Sequence, residues 1–159
     1  MGREEAFLWN ELGFSLMRLY HLLQKEEKEL AFRYQLGPTH VEMLYVLNRL
    51  GASEDWLPVR RVYPYFALTQ PAIGRILRHL AYWKFVELRR DKADRRCLLV
   101  RLLPPAHTLL EELEAIRAHV VRSAFPNMPV PKLRQWIEGL RRATFAAHTN
   151  GEAAVGLPL

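Results

Sequence analysis

LTQPAIGRILRHL, residues 68–80, carries a helix whose two faces want different surroundings. Ile73, Ile76, Leu77 and Leu80 recur at i, i+3, i+4 and i+7, the spacing of one apolar stripe directed at a core. Thr69 stands where a hydroxyl accepts from the first free amides, and Pro71 falls in the first turn, where a missing N–H costs little. With the inner face assigned, the outer one follows: Gln70, Pro71, Gly74, Arg75, Arg78 and Tyr82. An ordinary solvated face would use glutamate and lysine. Gly74 alone costs about 1 kcal/mol of helix propensity relative to alanine. Slim residues beside forked cations suit a helix that lies close against an anion.

The surrounding charge agrees. The chain has 159 residues, half of them hydrophobic, with a net charge of +6 and a pI near 9.8. Between Leu57 and Arg101 there are eleven basic residues against three acidic ones, a block of +8. The rest, with twelve basic and fourteen acidic, carries −2. An anionic partner therefore meets the middle of the chain.

Working outward, residues 4–35 predict one long helix, because Leu8, Leu12, Leu16, Leu19, Leu23 and Leu30 recur at helical spacings without a proline. Phe7, Phe14, Met17, Tyr20 and Leu22 spread its apolar surface beyond one stripe, so burial is expected on more than one side, with a partner chain able to supply the second. GPTHVEMLYVLNRLG (37–51) predicts a second helix, with Thr39 as cap, Glu42 reaching back to it, and Gly51 as left-handed exit. LPVRRVYPYFA (57–67) predicts a third, shortened or kinked by Pro64. FVELRR (85–90) and CLLVRLL (97–103) flank the charged DKADRR and predict an antiparallel hairpin. Pro104 and Pro105 end it. AHTLLEELEAIRAHVVRSAF (106–125) and a helix on Leu133, Trp136, Ile137 and Leu140 follow, and the tail at 149–159 is expected to be mobile. The fold class is mainly α with a small β-hairpin, an α+β arrangement.

A helix, a turn, a second helix with a basic outer face and a basic hairpin make the layout of a winged helix-turn-helix. In that layout the second helix enters a major groove about 12 Å wide. Gln70 suits adenine N6 and N7, and Arg75 or Arg78 suits guanine O6 and N7 or a phosphate. Thr69, Pro71 and Gly74 keep the leading edge narrow. From the wing, Arg90, Lys92, Arg95 and Arg96 reach phosphates or the minor groove, while Asp94 is expected to pair with Arg96 or a neighbouring arginine and fix the tip. The partner this implies is double-stranded DNA. The alternative is a winged helix that holds an acidic protein partner on the same cationic surface.

The run from Leu68 to Leu113 resembles the recognition helix, wing and following helix of the MarR-type transcription regulators, whose wing Asp-x-Arg is matched by Asp94 and Arg96. A looser likeness extends to residues 37–51 and to the terminal helices. Lys84 stands where that family usually has glycine, Leu103 where it has threonine, and Pro64 interrupts the helix before the turn. The resemblance implies a dimerisation helix at 1–36, a DNA-binding lobe at 38–104 and C-terminal helices at 105–148 that complete the dimer. It further implies a homodimeric repressor on a near-palindromic operator, released by a small ligand.

Other readings have less behind them. Trp9, Trp56, Tyr45, Tyr63, Tyr65, Tyr82 and Trp83 are expected in core packing first, and only second around a small aromatic effector of the kind the family binds. The ligand-binding residues are not readable. Cys97, the single cysteine, excludes an internal disulfide and suits a reducing cytoplasm. Packing beside its strand is its expected role, since the peroxide-responsive branch of the family carries its thiol in the first helix. His21, His40, His79, His107, His119 and His148 form no HExxH pattern, and neither a glycine-rich phosphate loop nor GxSxG occurs. No enzyme, catalytic residue, cofactor or metal is expected. No run of about 18 apolar residues is present, so no membrane span is expected either.

Overall fold

The computed structural model describes residues 2–53 and 55–149, and of 143–149 the backbone alone. Its elements are α1 (Arg3–Arg33), α2 (Pro38–Arg49), β1 (Leu57–Pro58), α3 (Gln70–Tyr82), β2 (Val86–Arg90), β3 (Leu98–Leu102), α4 (Pro104–Ala124) and α5 (Val130–Thr149). The expected tail lies, apart from its first residue, outside the described residues.

The core sits where α2, α3 and the sheet meet the end of α1 and the start of α4. Met43, Leu44, Leu47, Ile73, Leu77, Leu80, Leu109 and Leu113 are fully buried there. No polar or charged residue is buried among the described residues, so apolar burial carries this lobe. Two polar straps tie α1 to α4 at its edge. Glu112 accepts from Arg33 Nη2 at 3.0 Å and from Tyr34 Oη at 2.5 Å, and Arg117 meets Glu27 at 2.7 Å while lying over the Tyr45 ring.

The first three helices end alike. Leu36, Ala52 and Phe85 donate their N–H groups back to Ala31, Leu47 and Leu80, while Gln35, Gly51 and Lys84 donate to Phe32, Asn48 and Ala81. Each exit thus has the paired hydrogen bonds of a Schellman motif, with a buried apolar residue just past it. The middle residue needs positive φ, and Gln35 (56°), Gly51 (91°) and Lys84 (61°) all have it. Glycine is therefore not required after α3, though its absence strains the backbone.

Several expectations are corrected. The start of α2 is at Pro38 with Gly37 as cap, and Thr39 and Glu42 make no capping box. Proline costs nothing at the first helical position, so the helix starts one residue earlier than the expected cap. Residues 57–67 are not a helix. Leu57 and Pro58 pair with Val100 and Leu99, and two 3-10 turns, Val59–Arg61 and Tyr63–Tyr65, follow. Pro64 lacks the N–H group that a helix would use there. The hairpin consequently becomes a three-stranded antiparallel sheet in the order β1-β3-β2. Pro104 and Pro105 end β3 and also open α4, whose cap Leu103 has no hydroxyl to offer and instead donates its N–H to the Phe85 carbonyl at 2.9 Å.

The long first helix forms as expected, but within one chain its first turns are not buried. Phe7, Trp9, Leu12, Phe14, Tyr20 and Leu22 are exposed, Trp9 to 61%, and so are Leu133, Trp136, Ile137 and Leu140 of α5. Among the remaining aromatics Tyr45, Tyr63 and Tyr65 pack on the core, whereas Tyr82 and Trp83 are exposed. Trp56 is not core either. Its ring lies under the guanidinium groups of Arg89, 3.9 Å from the centroid, and Arg101, 4.8 Å away, covering the outer face of the sheet.

Candidate nucleic-acid interface

Helix α3 forms the centre of the basic surface. Thr69 caps it, accepting from Ala72 N–H at 3.4 Å, and Pro71 lies in the first turn. Ile73, Leu77 and Leu80 are wholly buried and Ile76 partly, so rotation of the helix about its axis is fixed by packing. That leaves Thr69, Gln70, Pro71, Arg75 and Arg78 exposed and Gly74 half-buried. Tyr82, on the same outer face, is 77% exposed. A Cβ on Gly74 would lie 3.4 Å from Arg78 Nη1, an ordinary contact with the end of a flexible side chain, so the guanidinium folds back over Gly74 without requiring its bare Cα.

Five-residue strands β2 and β3 pair from Val86 opposite Leu102 to Arg90 opposite Leu98 and carry the wing tip beyond the core. Arg90, Lys92, Asp94, Arg95 and Arg96 are all exposed. Asp94 does fix the tip, but not by the expected ion pair. Its Oδ1 accepts the backbone N–H of Arg96 at 2.9 Å, and its own carbonyl accepts from Cys97 N–H. Asp91 does the same for Ala93 N–H at 2.8 Å, and Arg90 Nη1 donates to the Arg96 carbonyl at 3.2 Å. A short carboxylate reaches an amide two residues on more easily than a distant guanidinium, an Asx turn. The arginine side chains at 95 and 96 therefore extend from a tied loop.

Arg60 was counted in the basic block but not expected at the site. With Tyr63, Arg90, Asp94, Arg96 and Cys97 it lines a cleft of about 400 Å³ beside the distal end of the wing. Its one available signal was adjacency to Arg61 in a basic pair, which does not say which element it will face. Cys97 is half-buried one residue before β3, at the edge of this cleft. On the outer sheet face Arg101 pairs with Glu87 at 2.8 Å, holding one of the two arginines that sandwich Trp56. No group of three His, Cys, Asp or Glu side chains among the described residues has metal-binding geometry, and no described helix is long and apolar enough to cross a membrane.

No protein-family model and no curated protein matches the sequence. Solved structures do match in fold. A mutant of MepR from a multidrug-resistant S. aureus clinical isolate aligns with TM-score 0.73 at 15% identity, over 86% of this chain and 96% of that one. A second MepR mutant, bound to an oligodeoxyribonucleotide, aligns with TM-score 0.60 at 14% identity over 86% and 97%. A MarR transcriptional regulator from Methanosarcina mazei Go1 gives 0.71 at 19% identity, over 89% and 99%. BpsR of Bordetella bronchiseptica, whose DNA binding is regulated by 6-hydroxynicotinic acid, gives 0.59 at 22% identity, over 83% and 91%. These likenesses span most of this chain and nearly all of the others, and the chain has the winged-helix fold of the MarR-type transcriptional regulators.

Proposed function

We propose that this protein is a double-stranded DNA-binding transcription regulator that works as a homodimer and represses its target. The observation that carries this reading is the division of α3: three side chains wholly in the core, and an outer face of Gln70, Pro71, Arg75 and Arg78 exposed around the half-buried Gly74. In the groove, Gln70 and the two arginines read base edges or phosphates, and the wing residues Arg90, Lys92, Arg95 and Arg96 add phosphate or minor-groove contacts. Asp94 orders the tip. The oligonucleotide held by a MepR mutant of the same fold supports this use of the surface.

The exposed apolar faces of α1 and α5 support the homodimer. Phe7, Trp9, Phe14, Trp136 and Leu140 make a water-facing apolar surface of the kind that marks an association site. A two-fold dimer calls for a near-palindromic operator with half-sites about 34 Å apart, one duplex turn. A small effector that changes the angle between the two lobes would separate the helices from successive grooves and lower affinity; the regulation of BpsR by 6-hydroxynicotinic acid supports this part. Repression takes place in the cytoplasm, where the operator is.

Selection of bound duplexes from a random pool, followed by fluorescence anisotropy across a salt series, tests the reading. With about six to ten phosphate contacts, log affinity falls with log salt at a slope of roughly −5 to −9. Arg75→Ala combined with Arg78→Ala should weaken binding and flatten that slope. Salt-independent binding, or none, would refer the basic surface to an acidic protein instead.

A further inference from the structure

A chain of nitrogens links the two helices of the turn. Trp83 Nε1–H donates to His79 Nε2 at 2.7 Å, and His79 Nδ1 lies 2.8 Å from His40 Nε2, with the imidazoles edge to face. His40 belongs to the first turn of α2, His79 to the last turn of α3, and Trp83 caps that helix. An indole nitrogen only donates. It therefore holds His79 Nε2 as a bare acceptor, which puts the His79 proton on Nδ1 and makes His40 Nε2 the next acceptor. The proton of neutral His40 then sits on Nδ1, which is buried beside Gly37 without a hydrogen-bond partner. Both acceptor nitrogens are taken. An added proton must go to His79 Nε2, facing the indole N–H, or to His40 Nε2, facing the His79 N–H. Either choice sets two donors head to head and breaks the chain.

We infer that His40, His79 and Trp83 form a relay that positions the recognition helix against α2 and makes duplex binding weaken on protonation. The inference rests on the DNA-binding reading proposed for α3. His40 and His79 line one cleft of about 490 Å³ together with Gly37, Thr39, Leu68 and Arg75. Arg75 is one turn before His79 on α3 and lines the same cleft, so an arginine of the proposed groove face stands beside the relay. Beside the two histidines the one charged group lining that cleft is Arg75, from α3; the α2 end and the loop before α3 contribute Gly37, Thr39 and Leu68, and no carboxylate lines it. Only the Gly37 backbone favours an imidazolium there, and burial together with His79 outweighs it. Burial first, and then His79, holds the His40 pKa below the ordinary imidazole value. A folded pKa below the unfolded one means the neutral chain is fully stabilising above about pH 6.5 and is lost as pH falls from there.

The sign of the effect separates this relay from simple electrostatics. New positive charge near phosphates would tighten binding as pH falls, whereas a broken relay loosens it. The test uses the full-length protein and a fluorescein-labelled duplex from the random-pool selection. Wild-type affinity should fall about ten-fold between about pH 7.5 and 5.5, the scale of one lost hydrogen bond. The double variant His40→Gln with His79→Gln keeps a donor-to-acceptor chain of amides that cannot gain a proton, and should bind like wild type at the higher pH with a flat profile. A wild-type profile that is flat or tightens in acid overturns the inference, as does an equal fall in the double variant. In DNA-free protein, the indole N–H proton resonance of Trp83, assigned by its loss in Trp83→Phe, should move upfield over the same step in wild type only. If no duplex is bound at any pH, the DNA-binding reading fails and this resonance alone decides the relay: a resonance that does not move ends it.

Discussion

Replacing Lys84 with glycine should stabilise the protein, although it removes a side chain and touches no core contact. The exit from α3 holds Lys84 at φ 61°, in the left-handed region, while its side chain is exposed. A residue with a Cβ pays roughly 1–2 kcal/mol there. Glycine returns roughly 0.4–1 kcal/mol through the greater freedom of its unfolded chain. The balance favours Lys84→Gly by about 0.5–1 kcal/mol, and since the exit's hydrogen bonds are all backbone, the substitution keeps them. At roughly 2–4 °C per kcal/mol for a chain of this size, the thermal midpoint should rise by about 1–4 °C. Gly51→Ala is the mirror experiment. Its φ is 91° and an added Cβ would meet nothing within 4 Å, so any fall in midpoint reports the backbone alone. Calorimetry at equal protein concentrations measures both, because association shifts the midpoint too. A lower midpoint for Lys84→Gly, or an unchanged one for Gly51→Ala, would falsify the account of these exits.

Two further outcomes are expected. Asp94→Ala should loosen the wing tip by removing the acceptor of the Arg96 N–H and weaken duplex binding in anisotropy, while Asp94→Asn keeps an acceptor oxygen in place and should bind at least as tightly as wild type; equal losses in the two variants would mean that the charge, not the turn, matters. The hydrogen bond to Glu112, then burial, then the Glu112 charge raise the Tyr34 phenol above its usual value, so its contribution to stability is complete below about pH 10 and is lost as pH rises through the folded value. Chemical unfolding at alkaline pH should therefore show a steeper loss for wild type than for Tyr34→Phe, and parallel curves would remove Tyr34 from the α1 to α4 strap.

Periodic features were legible in the chain, and features made by two distant segments were not. The stripe Ile73, Ile76, Leu77, Leu80 needs only local geometry, and its burial follows with Ile76 the least covered. The strand-like runs on either side of DKADRR likewise yield the two long strands. By contrast, nothing in LPVRRVYPYFA announces that Leu57 will lie opposite Val100, some forty residues on. Asp94 was legible as a tip-ordering residue but its partner was not, because an amide donor is present at every position and leaves no mark in composition. Arg60 in the wing cleft and Trp56 between two arginines went unread for the same reason, as their neighbours come from other elements.

The amino-acid order by itself settled which residues form α3, which of its sides is apolar, where the cation density lies and that a hairpin follows, because hydrophobic period, caps and charge are properties of neighbouring residues. The tertiary structure alone decided that the hairpin gains a third strand, that the apolar sides of α1 and α5 stay uncovered within one chain, and that His40 meets His79 across the turn. Those outcomes depend on which surfaces pack first and deepest, and packing joins residues that the chain keeps far apart.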